Sequence, residues 1–125
     1  MVWQTADGDK INFFEIIQII KTHHKKNGLV FVGTDSFMRA RKCTFVTSIV
    51  LLGAESQRGG IYFINKDIFG PSQLPSFYNR ILKEVEKSIN IALKITEICP
   101  SVDLEVHLDI SSEEKGEKTS PLAKM

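Results

Sequence analysis

The fold of this chain is decided by the stretch Leu29-Val30-Phe31-Val32-Gly33-Thr34-Asp35-Ser36. Four apolar residues run directly into a turn of small residues that carries a single carboxylate. Because the apolar run is short, rich in β-branched and aromatic residues, and bounded by Gly28 and Gly33, it predicts a strand buried on both faces. Asp35 is then predicted at the carboxyl end of that strand, where open α/β sheets carry functional residues.

Length and composition indicate one ordinary globular domain over residues 1–125. The chain is 42% hydrophobic and 25% charged, and its net charge of +1 makes no overall electrostatic case for nucleic acid or membrane. Cys43 and Cys99 follow no metal-binding spacing and are predicted to be buried free thiols. No basic segment leads into an apolar one at the N-terminus and no apolar run spans a bilayer, so we expect a cytoplasmic protein without membrane contact.

The first part of the chain predicts an arm followed by a helix. Residues 1–10 are polar and are expected to form an N-terminal arm, with Asp7 or Asp9 capping the helix that follows. His23 and His24 fall in the last turn of this helix. Adjacent histidines point in different directions, and the last turn of a helix favours cations, so a structural role is preferred to a metal site.

The next part of the chain predicts an antiparallel meander. Residues 36–42 are polar and basic and are interpreted as the connection of a hairpin. Strands are predicted over residues 43–52, rich in Val, Ile, Thr and Phe, and over residues 61–64. Together with the opening strand, they make three consecutive antiparallel strands.

A long amphipathic helix is predicted over residues 74–98, with apolar side chains at a 3.6-residue period. Arg80, Glu84 and Ser88 are spaced by four residues and therefore lie along one flank of its apolar face. An ordinary ion pair between Arg80 and Glu84 is the structural alternative to a functional role.

Residues 102–110 alternate between apolar and polar side chains, which predicts a further strand. A right-handed crossover through the long helix places this strand parallel to the opening strand. That pairing would bring Asp109 near Asp35. Residues 111–125 are interpreted as a charged loop followed by the start of another helix.

This ordered set of elements resembles the YkuK-like, ribonuclease-H-like family of bacterial proteins. The resemblance is carried by Val32-Gly33-Thr34-Asp35-Ser36, Phe45-Val46-Thr47-Ser48-Ile49-Val50, Gly59-Gly60-Ile61-Tyr62-Phe63, the set Arg80, Ile81, Leu82, Glu84 and Ser88, and Glu105-Val106-His107-Leu108-Asp109-Ile110. It implies an α/β fold with a ribonuclease-H-like mixed sheet, three antiparallel strands and a fourth parallel to the first, with flanking helices. Family members continue through another helix and strand, so the domain is expected to be C-terminally truncated.

The resemblance also implies a metal-dependent nuclease that acts on nucleic acid. By position, Asp35, Glu84 and Asp109 would hold Mg²⁺ or Mn²⁺, which prefer oxygen ligands and could support two-metal phosphodiester hydrolysis. His107 would orient a carboxylate or move a proton.

The basic residues after Asp35 are candidates for contacts with phosphates, namely Arg39, Arg41 and Lys42. No aromatic platform accompanies them in the sequence, so binding of single strands by stacking is not expected.

The alternative is a non-catalytic binding or assembly module that keeps the fold. In that case Asp35 caps a turn, Glu84 pairs with Arg80, and Asp109 begins the polar loop. If nothing covers residues 102–110, this strand forms a sheet edge, and exposed edges favour pairing with another chain. We therefore expect a homodimer through this region, which light scattering at high concentration would test.

Overall fold

The computed structural model describes residues 1–108, 111–112 and 117–118. In these parts of the chain one sheet is built from β1 (Trp3–Thr5), β2 (Lys10–Ile11), β3 (Leu29–Arg39), β4 (Lys42–Leu52), β5 (Ile61–Phe69) and β6 (Leu104–His107). Helix α1 (Phe13–Lys25) precedes β3, and a 3₁₀ turn (Pro71–Gln73) and helix α2 (Phe77–Ile98) precede β6. A separate pair joins β7 (Ser111–Ser112) and β8 (Glu117–Lys118).

The strands of the main sheet follow the order β2-β1-β5-β4-β3-β6. β3, β4 and β5 pair antiparallel in succession, and β6 pairs parallel to β3. The expected mixed sheet, with three antiparallel strands and a fourth parallel to the first, is therefore confirmed. Strand β3 lies between β4 and β6, as its continuous apolar run predicts.

The hairpin of β3 and β4 is longer than the sequence predicts. Its two strands pair from Leu29↔Leu52 to Arg39↔Lys42, and only Ala40 and Arg41 remain as the loop. Both loop residues have positive φ angles, 51° and 61°, as type I′ hairpin turns require. The prediction that residues 36–42 form a loop is therefore wrong, because a two-residue turn lets polar residues continue the ladder.

The position of Asp35 within its strand changes as a consequence. Asp35 pairs with Val46 in the interior of β3 and does not end the strand. However, the pairing of β3 with β6 ends at Gly33↔His107. Asp35 thus lies two residues beyond the point to which the described part of β6 follows β3.

The N-terminal residues contribute to the sheet. β1 pairs with β5, and the Trp3 side chain is 1% exposed and packs against Phe13 at a ring-centroid distance of 6.1 Å. The Asn65 amide donates to the carbonyl oxygen of Val2 at 2.6 Å. Residues 1–10, expected as a polar arm, therefore include a strand that a large buried aromatic residue anchors to the core.

Helix α1 begins at a capping box. The Asn12 side chain accepts from the backbone N–H of Glu15, and the Glu15 carboxylate accepts from the backbone N–H of Asn12. The prediction that Asp7 or Asp9 caps this helix is wrong, because a β1–β2 turn occupies the intervening residues.

Both helices pack on the same face of the sheet. One core cluster joins β3, β4 and β5 to the two helices through Val30, Val32, Ile49, Leu51, Phe63, Ile16, Ile17, Ile20, Ile91 and Ile95. Alternation along each strand directs the intervening side chains to the opposite face. Within the described residues, neither helix covers that opposite face, which we call the open face.

Strand β6 forms one edge of the sheet. It spans Leu104–His107, with Val106 buried, and is shorter than the predicted strand over residues 102–110. Asp109 and Ile110 lie outside the described residues. The homodimer that we expect through this edge stays a prediction.

Two expectations from composition can be compared with the structure. Cys43 and Cys99 are free and buried, as predicted. In the described part of the chain, no helix is long and apolar enough to cross a membrane.

His23 links the end of α1 to the sheet through hydrogen bonds. Its Nε2 atom lies 3.0 Å from the carbonyl oxygen of Leu29 and 3.1 Å from that of Leu52, so Nε2 carries the proton and donates to β3 and β4. The ring is buried against Gly28, where a Cβ atom would overlap it. The structural role preferred for His23 is confirmed.

We expect Gly28→Ala to lower the free energy of unfolding by about 2 kcal/mol or more, because the added methyl group displaces a buried, hydrogen-bonded ring. Urea unfolding measures the change. Gly70→Ala is the matched control, since a Cβ at Gly70 meets nothing within 4 Å and its φ angle is not positive. Equal stability of the two variants would contradict this role of His23.

Candidate carboxylate site between strand β3 and helix α2

Ser36 is the centre of a polar network that joins β3 to α2. Its hydroxyl donates to Glu84 Oε2 at 2.5 Å. Arg80 donates from Nε to Ser36 Oγ and from Nη2 to the Ser36 carbonyl oxygen, both at 3.1 Å. The helix flank predicted from the four-residue spacing therefore faces β3, and Ser36 bridges the cation and the carboxylate.

A second polar contact lies one helical turn further along α2. Ser88 Oγ donates to Thr34 Oγ1 at 2.8 Å, and Thr34 Oγ1 lies 3.1 Å from Thr47 Oγ1 on β4. All three hydroxyl residues are buried. A buried hydroxyl is stable only when it is hydrogen-bonded, so this chain of contacts fixes the height of α2 over β3 and β4.

The environment of Glu84 makes its ionisation unfavourable. Partial burial raises the pKa of its carboxyl group above the ordinary value of 4.5, and the negative charge of Asp35 raises it further. The hydrogen bonds from Ser36 and the charge of Arg80 act in the opposite direction without cancelling these effects. Asp35 and Glu84 are therefore close enough for their charges to interact.

Asp35 leaves β3 on the open face. Its neighbours Thr34 and Ser36 contact α2, so alternation directs the exposed Asp35 side chain the other way. There Asp35 and His107 border a depression of about 260 Å³ whose other walls include Phe31 and Ser48. Gly33 forms its floor, because no side chain fills the space between Phe31 and Asp35.

His107 lies on β6 beside this depression. Its ring packs edge-on against Phe31 at a centroid distance of 5.1 Å, and its Nε2 lies 3.8 Å from Glu105 Oε1. The side chain is about half exposed. Imidazole and carboxylate on neighbouring strands thus share one concavity, with Asp35 on β3 and His107 on β6.

The structure brings some predicted site residues together and leaves others untested. Asp35 borders a depression with His107 on the open face, whereas Glu84 lies on the helix side of β3, where the charge of Asp35 still raises its pKa. Asp109 lies outside the described residues. Among the residues that are described, no three His, Cys, Asp or Glu side chains form a group that could hold a metal ion. The proposed set of three carboxylates stays a prediction.

The three basic residues lie at the tip of the β3–β4 hairpin. Arg39 and Lys42 face one another across the strands, Arg41 lies in the turn, and all three are exposed. Arg39 is four residues beyond Asp35 on the same strand, about 13 Å away and on the same face. They are therefore outside direct reach of the carboxylates but lie along the same surface.

Sequence reasoning missed the roles of Thr34 and Ser36 as contacts to the helix. A usable signal was present, because two hydroxyl residues separated by one position interrupt an apolar strand face. Hydroxyls at such positions require partners, and the polar flank of α2 supplies them.

Comparison with known families agrees with the fold described above. Residues 12–125 match the ribonuclease H-like family. The chain belongs to the ribonuclease H-like family. No curated protein and no solved structure matches it. The family match includes both helices and the strands from β3 onward, whereas β1 and β2 of this ribonuclease H-like chain precede the matched residues.

We expect Glu84→Gln to stabilise the protein modestly at neutral pH, since the amide keeps an acceptor for Ser36 and removes a partly buried charge. The folded state holds the Glu84 proton more tightly than the unfolded chain does. The stability of wild type relative to that of the variant therefore falls as pH rises from about 4.5 through the raised pKa.

Thermal unfolding across this pH range, without divalent cations, measures the difference. Glu86→Gln is the matched control, because Glu86 lies two positions along the same helix and is exposed. A Glu84→Gln protein less stable than wild type at neutral pH would indicate that the carboxylate mainly stabilises the fold.

Proposed function

We propose that this ribonuclease H-like protein is a divalent-metal-dependent phosphodiesterase that acts on nucleic acid. The observation that carries the proposal is that Asp35 on β3 and His107 on β6 border one depression where the described pairing with β6 ends, with Glu84 held by Ser36 on the helix side of the same strand. The charge of Asp35 also raises the pKa of Glu84, and a bound cation would offset repulsion between the two carboxylates. Such an arrangement is typical of a site that binds a positive charge.

The donors are suited to Mg²⁺ or Mn²⁺. Magnesium is commonly held by one or two carboxylates, several waters and phosphate oxygens of the substrate. Asp35 and Glu84 supply carboxylates of this kind, and Asp109, two positions after His107, is the third proposed ligand. When bound, the metal would supply positive charge that stabilises the phosphodiester in its transition state.

The neighbouring residues have distinct positioning roles in this proposal. Ser36 holds the Glu84 carboxylate through its hydroxyl, and Arg80 holds Ser36 through two hydrogen bonds. Glu84 is thereby kept in one orientation before substrate binds. Its side chain therefore loses less conformational entropy when the reactive complex forms.

His107 is the proposed proton carrier. In hydrolysis a water oxygen bonds to phosphorus, the bond to the leaving sugar oxygen breaks, and a proton must move from the water to that oxygen. The half-exposed imidazole of His107 borders the same depression as Asp35, and imidazole is the side chain that most often transfers protons in catalysis. Arg39, Arg41 and Lys42 are proposed to contact phosphates further along the substrate.

A non-catalytic binding module is the second candidate function. It is favoured by the open face, which carries exposed apolar and aromatic side chains within the described structure, including Phe37 and Tyr62. Such a surface binds a partner whether or not the carboxylates bind a metal.

Calorimetric titration with Mn²⁺ tests the metal site. We expect wild type and Glu86→Gln to bind Mn²⁺ and to unfold at a higher temperature in its presence. Asp35→Asn and Glu84→Gln are expected to lose most of this affinity. Undetectable binding to the wild-type protein, or equal binding by all four proteins, would contradict the proposed site.

Hydrolysis of labelled RNA and DNA strands tests the activity. We expect cleavage with Mg²⁺ or Mn²⁺, with the rate reduced about a hundredfold or more in Asp35→Asn, because loss of a positioning or electrostatic group typically costs this much. Metal binding without cleavage of either polymer would favour the binding module.

A further inference from the structure

The open face of the sheet has a definite arrangement of side chains. Successive open-face residues of β3 define rows across the sheet. In one row Phe31 pairs with Val50, which pairs with Tyr62; three rows nearer the hairpin tip, Phe37 pairs with Thr44. Because strand neighbours in a row point to the same side, these aromatic side chains share one surface.

Phe37 is the most informative residue of this surface. It is 45% exposed, which is unfavourable for a large aromatic side chain in water. It lies between Asp35 and Arg39 on the same face, about 7 Å from each along the strand. An aromatic ring is thus interleaved between a proposed site carboxylate and a hairpin cation, contrary to the expectation of no aromatic platform.

The half of the open face that lies nearest the β3–β4 turn, which we call the tip half, is positively charged. Arg39 and Lys42 pair across the hairpin, and Lys66 on β5 lies in the row of Asp35 through their common neighbour Val46. All three cations are exposed. Among the described residues of this half, these cations outnumber the carboxylate of Asp35, so the described surface is complementary to a phosphate backbone.

The other half of the open face holds the depression over Gly33. Phe31 bounds it at one end and Asp35 at the other, and the Ser48 hydroxyl lies in its wall. A volume of about 260 Å³ is suited to a small planar group. A base that is already paired presents only its edge to a protein surface, whereas an unpaired base can enter a depression and stack on an aromatic ring.

We propose that the open face binds single-stranded nucleic acid. One base occupies the depression over Gly33, another stacks on Phe37, and phosphates contact Arg39, Lys42 and Lys66. This inference adds the strand form of the substrate to the proposed nuclease. Stacking and phosphate contacts require no metal, so the binding proposal stands apart from the proposed nuclease. What rests on the proposed nuclease is that the bound strand is cleaved, next to Asp35.

Fluorescence anisotropy in EDTA tests binding separately from cleavage. The probe is a fluorescein-labelled oligothymidylate of about 20 nucleotides, compared with the same strand annealed to its complement. We expect the single strand to bind about tenfold or more tightly than the duplex. Equal or tighter binding of the duplex would overturn the proposal.

Aromatic variants test the stacking contact. We expect Phe37→Ala to weaken binding of the single strand about tenfold, and Phe37→Tyr to restore it. Tyr78→Ala is the matched control, because Tyr78 is 69% exposed on α2, behind the other face of the sheet. Equal affinities of Phe37→Ala and wild type would overturn the stacking contact.

Two further variants test the phosphate contacts and the depression. Lys42→Ala should reduce the slope of log affinity against log salt by about 0.7, whereas Lys94→Ala, an exposed cation of α2, should not. Ser48→Leu should fill the depression and weaken binding. Loss of binding in every variant, including Lys94→Ala, would overturn these assignments.

The alternative occupant of the open face is a second copy of this chain. Sedimentation of the same proteins separates the two cases. A wild-type dimer that binds no oligothymidylate, and that Phe37→Ala converts to a monomer, would overturn the proposal. Binding of the oligothymidylate without Mn²⁺ affinity would support it while contradicting the proposed nuclease.

Discussion

The two-residue alternation of β3 is the constraint on which the rest of the structure depends. Val32, Thr34 and Ser36 face the helices, whereas Asp35 and Phe37 face the other way. A slip of one position would place a carboxylate in the core and the hydroxyls on the surface. Eleven paired positions with β4 and the hydroxyl contacts to α2 together prevent that slip.

The stability contributed by the buried core offsets the cost of one unfavourable carboxylate, Glu84. Ile16, Ile20, Ile49 and Ile95 are fully buried, and each buried side chain of this size contributes about 1.5–3 kcal/mol relative to exposure. The raised pKa of Glu84 means that its charged form destabilises the folded state, and the partial exposure of the side chain lessens this penalty. The fold therefore tolerates a carboxylate whose ionisation is unfavourable.

Much of the fold could be predicted because its signals are periodic. The apolar run at Leu29 and the spacing of Arg80, Glu84 and Ser88 predicted the central strand and the flank of the long helix. The positions at which strands begin and end were harder to predict from the sequence. The hairpin continues through polar residues such as Ser36 because pairing with β4 decides its length, and residue type alone does not report a partner strand. The burial of Trp3 likewise depends on contacts with residues distant in sequence.

The candidate site could be predicted in part for the same reason. Asp35 on the opening strand and Glu84 on the long helix were identified as candidate carboxylates, and the charge of Asp35 contributes to the raised pKa of Glu84. The bridge through Ser36 and the aromatic rows of the open face were not predictable from spacing. Both arise when α2 and neighbouring strands are brought against β3, which a single sequence records only as isolated residues.

The contact of His23 with Gly28 has a consequence for how related chains can diverge. The imidazole occupies the space that any other residue at position 28 would require, and it satisfies carbonyl groups of both β3 and β4. A chain that replaces this histidine with a smaller residue releases the constraint on the glycine. Positions 23 and 28 should therefore change together among homologues. Such a coevolving pair reports the packing of α1 against the sheet and not the reaction of the candidate site.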